Sequence, residues 1–425
     1  MIIITDKHNC CGCESCVQAC PKHCISFDED TEGFRYPYVD KDKCIDCGLC
    51  EKVCPVQNRG KELHPLFVFA AKNDNEKERK QSSSGGIFIL LSKEIIRQGG
   101  VVFGAKFDEN WEVKHDYAET IEEVKSFMGS KYVQSRVGNT YLQARQFLET
   151  GRKVLYSGTP CQIAGLKCFL RKDYGNLLTV DIICHGVPSP KVWRRYLDEI
   201  KHNARQGENT VSSPLNHFVS EGNALETSND VCIKSISFRD KRLGWKKFSF
   251  ALTLAKASAD GKKNSVSLSH IYNENPFIRI FLGNISLRPS CFQCPVKAGR
   301  CNSDITLADF WGIQSVKPEI DDDKGTSLIL INTQKGTDFF YRSKDISYIQ
   351  VTASEALKFN PVWKENVKSH PNRMKFFKKI DRSESIIKLT DFQLRKTFRQ
   401  HLYDVQICIK VCIWNFLHKS KDQEQ

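Results

Sequence analysis

CCGCESCVQACP, residues 10–21, and CIDCGLCEKVCP, residues 44–55, are the stretches of sequence that decide the fold around them. Each is a C-x2-C-x2-C-x3-C-P run. In such a run, three thiolates at steps of three residues bind one four-iron cube, and the fourth thiolate, just before proline, binds the other cube. The first 60 residues are therefore expected to hold two 4Fe-4S clusters.

The cross-over of the fourth cysteine predicts which thiolates share a cluster. One set is Cys10, Cys13, Cys16 and Cys54, and the other is Cys20, Cys44, Cys47 and Cys50. Zinc sites also use C-x2-C pairs, but they take four ligands in two pairs rather than two runs of four. Cys11 and Cys24 lie outside the pattern and are expected to be spare thiols. Short strands at residues 25–27 and 34–39 complete a bacterial-type dicluster ferredoxin fold over residues 1–60.

The cysteine content bears on the compartment of the protein. Of 425 residues, 19 are cysteine, which indicates either a disulfide framework in a secreted chain or metal and redox chemistry in a reducing compartment. The first nine residues, MIIITDKHN, have no cationic start and no long apolar stretch of a signal peptide. We therefore expect a cytoplasmic protein whose cysteines are thiolate ligands.

The formal charge of +13 does not predict nucleic-acid binding. Cluster-bound thiolates add negative charge that this count omits. The excess is also local, because residues 351–425 hold 15 Lys and Arg against 8 Asp and Glu. No base-stacking motif accompanies it, so no nucleic-acid partner is expected.

Beyond the polar residues 57–65, predicted strands and helices alternate, which favours a mixed α/β fold. Strands are predicted at residues 66–71, 101–107, 153–157, 177–184, 232–239, 248–256, 304–310 and 327–332, and helices at 137–148, 189–201 and after residue 86. The expected domain has two parts, residues 61–155 and 156–335, followed by a basic helical tail, residues 336–425. The fold class is thus α+β joined to α/β. Residues 203–230 are polar and are expected to form a surface insertion.

The apolar segment within the tail has two interpretations. Between residues 405 and 417 only Lys410 is charged, but 13 residues fall short of the roughly 20 that span a bilayer. A packed terminal helix is favoured. The alternative is a basic amphipathic helix in peripheral contact with a membrane.

Iron-sulfur clusters move single electrons, and a flavin is the usual converter to electron pairs, so a flavin site is expected. Ser83, Ser84, Gly85 and Gly86 precede a predicted helix, where glycine and free backbone amides favour a phosphate. An ordinary serine cap is the competing interpretation.

A second candidate for the flavin site is Gly158, Thr159 and Pro160, between a strand and a helix. Its competing interpretation is a tight connection with a buried cysteine.

A third ligand set is formed by Cys161, Cys184, Cys291 and Cys294, with Cys301 as a competitor for one place. These residues could bind a cluster or zinc, or they could simply be buried. Cys168, Cys232, Cys408 and Cys412 are interpreted as packing residues. His185 follows Cys184 and could donate a proton to a flavin or substrate. A structural histidine is the alternative.

Six further motifs, together with the two cysteine runs, define a family resemblance. They are SSSGGIF (82–88), GSKYVQS (129–135), SGTPCQIAGL (157–166), DIICHGVPSP (181–190), SFRDKRLGW (237–245) and CFQCPVKAGRCNSDITLADFWGI (291–313). Over about residues 1–335 the chain resembles the beta-subunit family of coenzyme F420 hydrogenase/dehydrogenase.

The resemblance implies a flavin-binding catalytic domain in which FAD exchanges electrons with iron-sulfur clusters and with a two-electron carrier or substrate. It places residues 83–86, Lys131, Gln134 and residues 158–161 in the flavin pocket. It assigns Cys161, Cys184, Cys291 and Cys294 to a third 4Fe-4S cluster, with Asp309 nearby.

A fused ferredoxin with a basic tail is similar to stand-alone relatives of this family, including ones found with surface-polysaccharide biosynthesis. The expected function is therefore an iron-sulfur flavoprotein oxidoreductase. Its partners would be a ferredoxin-like donor or acceptor protein and a small-molecule substrate, namely a deazaflavin, a sugar-linked intermediate or another reducible molecule. The alternative is a non-catalytic electron-transfer subunit that docks to a partner oxidoreductase.

Overall fold

The computed structural model describes residues 1–206, 219–221, 231–257 and 263–395. Most of the predicted surface insertion at residues 203–230 lies outside these ranges. The same holds for the segment 405–417, and for Cys408 and Cys412.

The N-terminal module consists of two short helices and one hairpin around the cysteines. Its elements are α1 (Ser15–Ala19), β1 (Ile25–Glu29), β2 (Arg35–Val39) and α2 (Leu49–Lys52). β1 and β2 pair antiparallel, with Ile25 opposite Val39. The buried thiols pack with Ile25, Phe27 and Val56 in one apolar cluster. The predicted ferredoxin-type module is present, and its hairpin lies where the sequence places it.

The remaining strands form two sheets. They are β3 (Phe67–Asn73), β4 (Val101–Phe107), β5 (Val113–Ala118), β6 (Val154–Gly158), β7 (Leu177–Ile182), β8 (Val219–Glu221), β9 (Val231–Asp240), β10 (Ser249–Ala257), β11 (Lys263–Ile271), β12 (Ile305–Asp309), β13 (Ser327–Ile331) and β14 (Ile346–Gln350). The eight-stranded sheet has the order β14-β3-β13-β12-β7-β6-β4-β5. Its centre, β12-β7-β6-β4, is parallel, and antiparallel strands flank it on both sides. The four-stranded sheet, β8-β11-β10-β9, is antiparallel.

The helices beyond the N-terminal module are α3 (Glu76–Gln81), α4 (Ile87–Arg97), α5 (Ile121–Val124), α6 (Thr140–Glu149), α7 (Pro160–Leu170), α8 (Pro190–Arg205), α9 (Pro276–Leu282), α10 (Ile313–Val316), α11 (Gln334–Arg342), α12 (Ala353–Leu357), α13 (Arg373–Ile380) and α14 (Ile386–Gln393). Because side chains alternate along a strand, the large sheet buries two apolar faces. Val102 and Leu155 face α4, whereas Val101 and Val154 face α6 and α7. The mixed α/β prediction is confirmed.

The N-terminal module packs directly on the α/β domain. Glu14 accepts hydrogen bonds from the N–H groups of Val137 (3.4 Å) and Gly138 (3.0 Å). Gln18 accepts from Tyr141 N at 3.0 Å. The two side chains of the module therefore satisfy free N–H groups at the start of α6, in the manner of a helix cap.

The prediction of a helical tail from residue 336 is wrong for its first part. β14 pairs antiparallel with β3 at the edge of the large sheet. Phe376 on α13 and Ile386 on α14 are buried in the core that contains Trp193. Residues 336–393 therefore belong to the folded domain, because their apolar side chains cover surfaces of the sheet and of α8. Within the described ranges no helix is both long enough and apolar enough to cross a bilayer.

Candidate functional site: three cysteine sites and a large cavity

The second of the two N-terminal cysteine sets surrounds a cavity at the surface of the module. Cys20, Cys44, Cys47 and Cys50 line it together, around about 350 Å³ of empty space. Cys24, interpreted from the sequence as a spare thiol, lines the same cavity, and its Sγ lies 3.4 Å from Cys20 Sγ. Cys47 is exposed. The geometry agrees with the cross-over pattern.

The first set lies deeper. Cys10, Cys13, Cys16 and Cys54 are all buried. Burial raises the pKa of Cys16 well above its usual value, and the neighbouring thiols of Cys13, Cys10 and Cys54 raise it further. Four buried thiols that repel one another as thiolates fit a site where bound metal compensates their charge.

The third cysteine set also comes together in space. Cys161 lies in the first turn of α7, Cys184 follows β7, and Cys291 and Cys294 lie in and after the 3-10 turn Pro289–Gln293. All four line one cavity. Cys11, interpreted from the sequence as a spare thiol, lines it as well.

Cys301 does not belong to this cavity. Its thiol is buried and donates to Asp181 Oδ2 at 3.1 Å. Burial raises the pKa of Asp181 to about 6.

Cys232, interpreted as a packing residue, is exposed on β9. Cys168 is half-buried.

The described cysteines are all free thiols. In the ranges that the structure describes, no three His, Cys, Asp or Glu side chains converge closely enough to hold a single metal ion. Instead, the second N-terminal cysteine set and the third cysteine set each line a cavity.

A larger cavity of about 710 Å³, partly open to solvent, lies next to the third cysteine site. Ser83, Ser84 and Gly86 line it. Gly86 is the N-cap of α4, with φ +80°, and no serine side chain caps this helix, so the serine-cap interpretation is wrong. Gly85 is turned away from the cavity, since a Cβ there would lie 2.5 Å from Ala71 O. Glycine at position 85 therefore serves close packing on the sheet.

Lys131 lines the same cavity. Its ammonium donates to the carbonyl oxygens of Ser126 (3.0 Å) and Met128 (2.9 Å), and no described carboxylate forms an ion pair with it. Burial lowers the pKa of Lys131 to about 7. A lysine has three N–H donors, so one is left for an anionic ligand.

The other predicted flavin-pocket residues divide between the two cavities. Gly158 and Thr159 line the large cavity, whereas Pro160 lines the cysteine cavity. Gln134 lines the large cavity, but its Nε2 donates to Cys11 O at 3.2 Å and thereby joins the N-terminal module to the α/β domain.

His185 lies at the boundary of the two cavities and lines both. Its Nε2 donates to Asn284 Oδ1 at 2.6 Å, and burial lowers its pKa. The imidazole is therefore neutral at pH 7. Asp309, which the resemblance places near the third cluster, is not among the residues that line the cysteine cavity. It lines the large cavity, where it forms an ion pair with Arg239 (2.8 Å) and accepts from Trp245 Nε1 (2.8 Å).

A buried hydrogen-bond chain that sequence reasoning missed supports the loop carrying Cys161. His115 Nε2 donates to Ser157 O at 3.1 Å, and Ser135 Oγ donates to His115 Nδ1 at 3.0 Å. Gln162 Nε2 donates to Ser135 Oγ at 2.8 Å. Burial lowers the pKa of His115 to about 4, which keeps the ring neutral with its proton on Nε2. A lone histidine in a strand carries no sequence signal for this role.

The large cavity and the third cysteine site share part of their walls. Cys11, Cys161, Cys184 and His185 line both. The carboxyl ends of β6 and β7 meet here, as ligand sites in parallel sheets commonly do. The cysteine cavity and the large, ligand-sized cavity are therefore adjacent, with these residues in the walls of both.

Two parts of the chain match known protein families. Residues 9–58 match the model of the 4Fe-4S dicluster domain, and residues 151–356 match the model of the C terminus of the coenzyme F420 hydrogenase/dehydrogenase beta subunit. A coenzyme F420-dependent sulfite reductase from Methanocaldococcus jannaschii is 27% identical over 169 residues, which are 39% of this chain and 26% of the reductase. The chain thus spans about a quarter of the length of that relative.

Among solved structures, a chain of the F420-reducing [NiFe] hydrogenase complex from Methanosarcina barkeri is similar at a TM-score of 0.44 and 15% identity. The similarity covers 75% of this chain and 94% of that chain.

The two N-terminal cysteine sets and the sequence matches define an iron-sulfur protein related to oxidoreductases. More closely, residues 151–356 are similar to the C terminus of the coenzyme F420 hydrogenase/dehydrogenase beta subunit, and residues 9–58 match a 4Fe-4S dicluster domain.

Proposed function

We propose that this protein is an iron-sulfur flavoprotein oxidoreductase that passes electrons between its ferredoxin-type clusters and FAD, and so reduces or oxidises a small molecule. When bound, clusters carry single electrons and a flavin exchanges them for pairs. The observation that carries the proposal is that Cys161 and Cys184 line both the third cysteine cavity and the large cavity. A cluster held there would stand directly beside a ligand in the large cavity.

The residues of the third cavity fit a 4Fe-4S cluster. Cys161, Cys184, Cys291 and Cys294 supply four thiols, and Cys11 a fifth. A hydrogen bond with the Cys11 thiol lowers the pKa of Cys161, which favours the thiolate form that binds metal. Thr159 Oγ1 lies 3.2 Å from Cys161 Sγ and helps to orient it.

The large cavity has room for one ligand of cofactor size, because its volume of about 710 Å³ lies within the 300–1,000 Å³ common for ligand pockets. Lys131 and the backbone around Gly86 suit the phosphates. His185 is placed where it can hold or donate a proton between the two cavities.

A second group of residues in the same cavity suits the substrate. The guanidinium of Arg239 lies 4.1 Å over the ring of Phe248 and 5.3 Å from that of Trp311. Arg239 Nε is buried and, within the described ranges, has no hydrogen-bond partner. A planar substrate with an acceptor oxygen would satisfy it. Candidate substrates are a deazaflavin-like molecule and a sugar-linked intermediate of surface-polysaccharide biosynthesis.

Electrons would enter or leave through a ferredoxin-like partner protein at the Cys20, Cys44, Cys47 and Cys50 site. Cys47 and the side chain of Ile45 are exposed at the rim of this cavity. We place the protein in the cytoplasm, where thiols stay reduced. For the basic tail, a packed terminal helix is the favoured proposal and peripheral membrane contact is the alternative.

Anaerobic purification followed by iron, sulfide and flavin analysis tests the proposal. We expect about 12 iron atoms and one FAD per chain, as three four-iron clusters require. Cys184→Ser should lose about four iron atoms and keep the rest. Cys301→Ser is the matched control, because this buried thiol lines neither cavity. A wild-type chain without flavin, or an unchanged iron content in Cys184→Ser, would contradict the proposal.

The alternative, a non-catalytic electron-transfer subunit, differs in one measurement. Dithionite-reduced ferredoxin should reduce the bound flavin, and adding the correct substrate should reoxidise it. If a partner oxidoreductase, and no small molecule, reoxidises the flavin, the alternative holds.

A further inference from the structure

Arg288 places a cation in the interior of the protein without a carboxylate partner. Its side chain is only 1% exposed. Among the described carboxylates none forms an ion pair with it, and the ionisable groups that act on it most are Cys10, Tyr36, Cys11 and Cys291. Burying a charge without compensation is strongly unfavourable. The site therefore calls for a negative group that the protein's carboxylates do not supply.

The guanidinium contacts a cluster cysteine through both backbone and sulfur. Nε donates to Cys10 O at 2.8 Å, and Nη2 lies 3.5 Å from Cys10 Sγ. Nη2 also donates to Arg35 O at 2.9 Å, and Nη1 to Gln134 Oε1 at 3.0 Å. The group lies 4.3 Å over the ring of Tyr36. These contacts hold the charge in one place beside the Cys10 sulfur.

The same residue also adjoins the third cysteine site. Arg288 directly precedes the turn Pro289–Gln293, and Cys291 N donates to Arg288 O at 2.9 Å. On the opposite side, Cys11 follows Cys10 and lines the third cavity. The guanidinium thus lies between the buried N-terminal site and the third site.

Gly12 is required for this close approach. It has φ +74°, and a Cβ on it would lie 2.5 Å from Gln134 Nε2 and 2.8 Å from Arg288 Nη1. Only glycine leaves space here for the guanidinium and also adopts the left-handed backbone conformation without strain.

We propose that Arg288 raises the reduction potential of the cluster bound by Cys10, Cys13, Cys16 and Cys54 and thereby draws electrons inward, toward the third cysteine site. The proposal rests on the dicluster domain, and its inward direction rests on the proposed function. Reduction adds one electron to the cluster and breaks no bond. A fixed positive charge and a hydrogen bond to sulfur both favour the reduced, more negative form.

Among the described residues, the outer cluster site, formed by Cys20, Cys44, Cys47 and Cys50, has no buried cation of this kind. Met1 and Lys22 line its cavity, but the Met1 ammonium is paired with Asp46 at 2.9 Å and Lys22 is exposed to solvent. Within the described ranges, the N–H groups that donate to its ligands are backbone amides, Asp46 N to Cys44 Sγ (3.4 Å) and Ile2 N to Cys50 Sγ (3.3 Å). The inner site also has the buried guanidinium. The two N-terminal clusters therefore differ in potential, with the higher potential inside.

The test is a redox titration of the intact, anaerobically purified chain, followed by electron paramagnetic resonance. The centre of interest is the one lost in Cys13→Ser. Arg288→Met should change its one-electron equilibrium constant at least tenfold toward the oxidised form, which is about 59 mV lower in potential. Arg288→Lys keeps the charge and should change it by less than tenfold.

Arg373→Met is the matched control. Arg373 is also buried, donates to Leu287 O at 2.9 Å and joins the same N-terminal module through Glu32. It has this carboxylate partner, and no cluster cysteine accepts a hydrogen bond from it. All potentials should stay at their wild-type values in this variant. An unchanged potential in Arg288→Met, or an equal shift in Arg373→Met, would overturn the proposal.

If Arg288→Met does not retain its clusters, Gln134→Glu decides. It sets a carboxylate against the guanidinium and cancels its charge without removing it, so the same centre should again shift to lower potential. No shift would overturn the proposal. A chain that lacks flavin or the third cluster would contradict the proposed function, while the shift in the Cys13-dependent centre would still be measurable.

Discussion

Replacing Lys131 with methionine should weaken flavin binding most at low pH and least at high pH. The ammonium of Lys131 lines the large cavity, spends two donors on carbonyl oxygens and has no described carboxylate partner. A flavin phosphate would accept its third N–H and supply the missing negative charge. The methionine side chain has similar length and no charge.

The magnitude follows from the charge and from the lowered pKa. A hydrogen bond to a charged group contributes about 1.5–3 kcal/mol, which is roughly 10- to 150-fold in Kd at 1.4 kcal/mol per tenfold. Burial lowers the pKa of Lys131 to about 7. Only the ammonium form binds the anion well, and its fraction falls about tenfold per pH unit above 7. The wild-type Kd should therefore rise by up to about tenfold per pH unit above 7, whereas that of the variant stays level.

The assay is equilibrium binding of FAD to the flavin-depleted chain between pH 6 and 9, read from the quenching of flavin fluorescence. Lys106→Met is the control, because Lys106 is half-buried on β4 and paired with Asp116 at 2.8 Å, outside the cavity. It should bind like wild type at every pH. Parallel pH profiles for wild type and Lys131→Met would refute the reasoning.

Three further predictions follow from other contacts. Glu14→Ala removes the acceptor of two N–H groups at the start of α6, including that of Gly138. It should lower the free energy of unfolding, measured in urea, by about 2–4 kcal/mol. An equal loss in Glu14→Gln would show that the shape of the side chain, not its carboxylate, is decisive. Asp309→Leu leaves Arg239 as a buried unpaired cation and should cost about 3–5 kcal/mol. Thermal unfolding measures this, and the double variant with Arg239→Met should recover most of the loss. For the membrane question, liposome flotation should compare the intact chain with one ending at residue 395, since α13 and α14 belong to the core; equal flotation would exclude membrane binding by the tail.

Local signals made much of the fold predictable. The apolar run at residues 101–107 predicts a strand, and β4 occupies the same range. Ser189 and Pro190 predict the start of α8, and Ser189 Oγ does accept from Val192 N. β5 was missed because it mixes charged and polar residues with few apolar ones, and β14 because its five residues lie in the segment interpreted as a helical tail. Their strand form is decided by pairing with β4 and β3.

The candidate site was predictable in its cysteines and less so in its other residues. Gly85 and Pro160 stand in motifs of the family, yet their neighbours, not they, line the large cavity. His115, Ser135 and Gln162 are far apart in sequence and meet only through the sheet. A spacing pattern shows only which residues are close along the chain, whereas the residues in these contacts are distant from one another in sequence.

The sequence alone determined that the N-terminal module is of the dicluster type, because the thiolates that hold a cluster lie at short, fixed steps along the backbone. Only the tertiary structure decided what stands beside those thiolates. Cys11 enters the third cavity, and Arg288, 278 residues from Cys10 in sequence, donates to it. Burial and long-range contact set the charge around each thiol, and both exist only once the chain has folded.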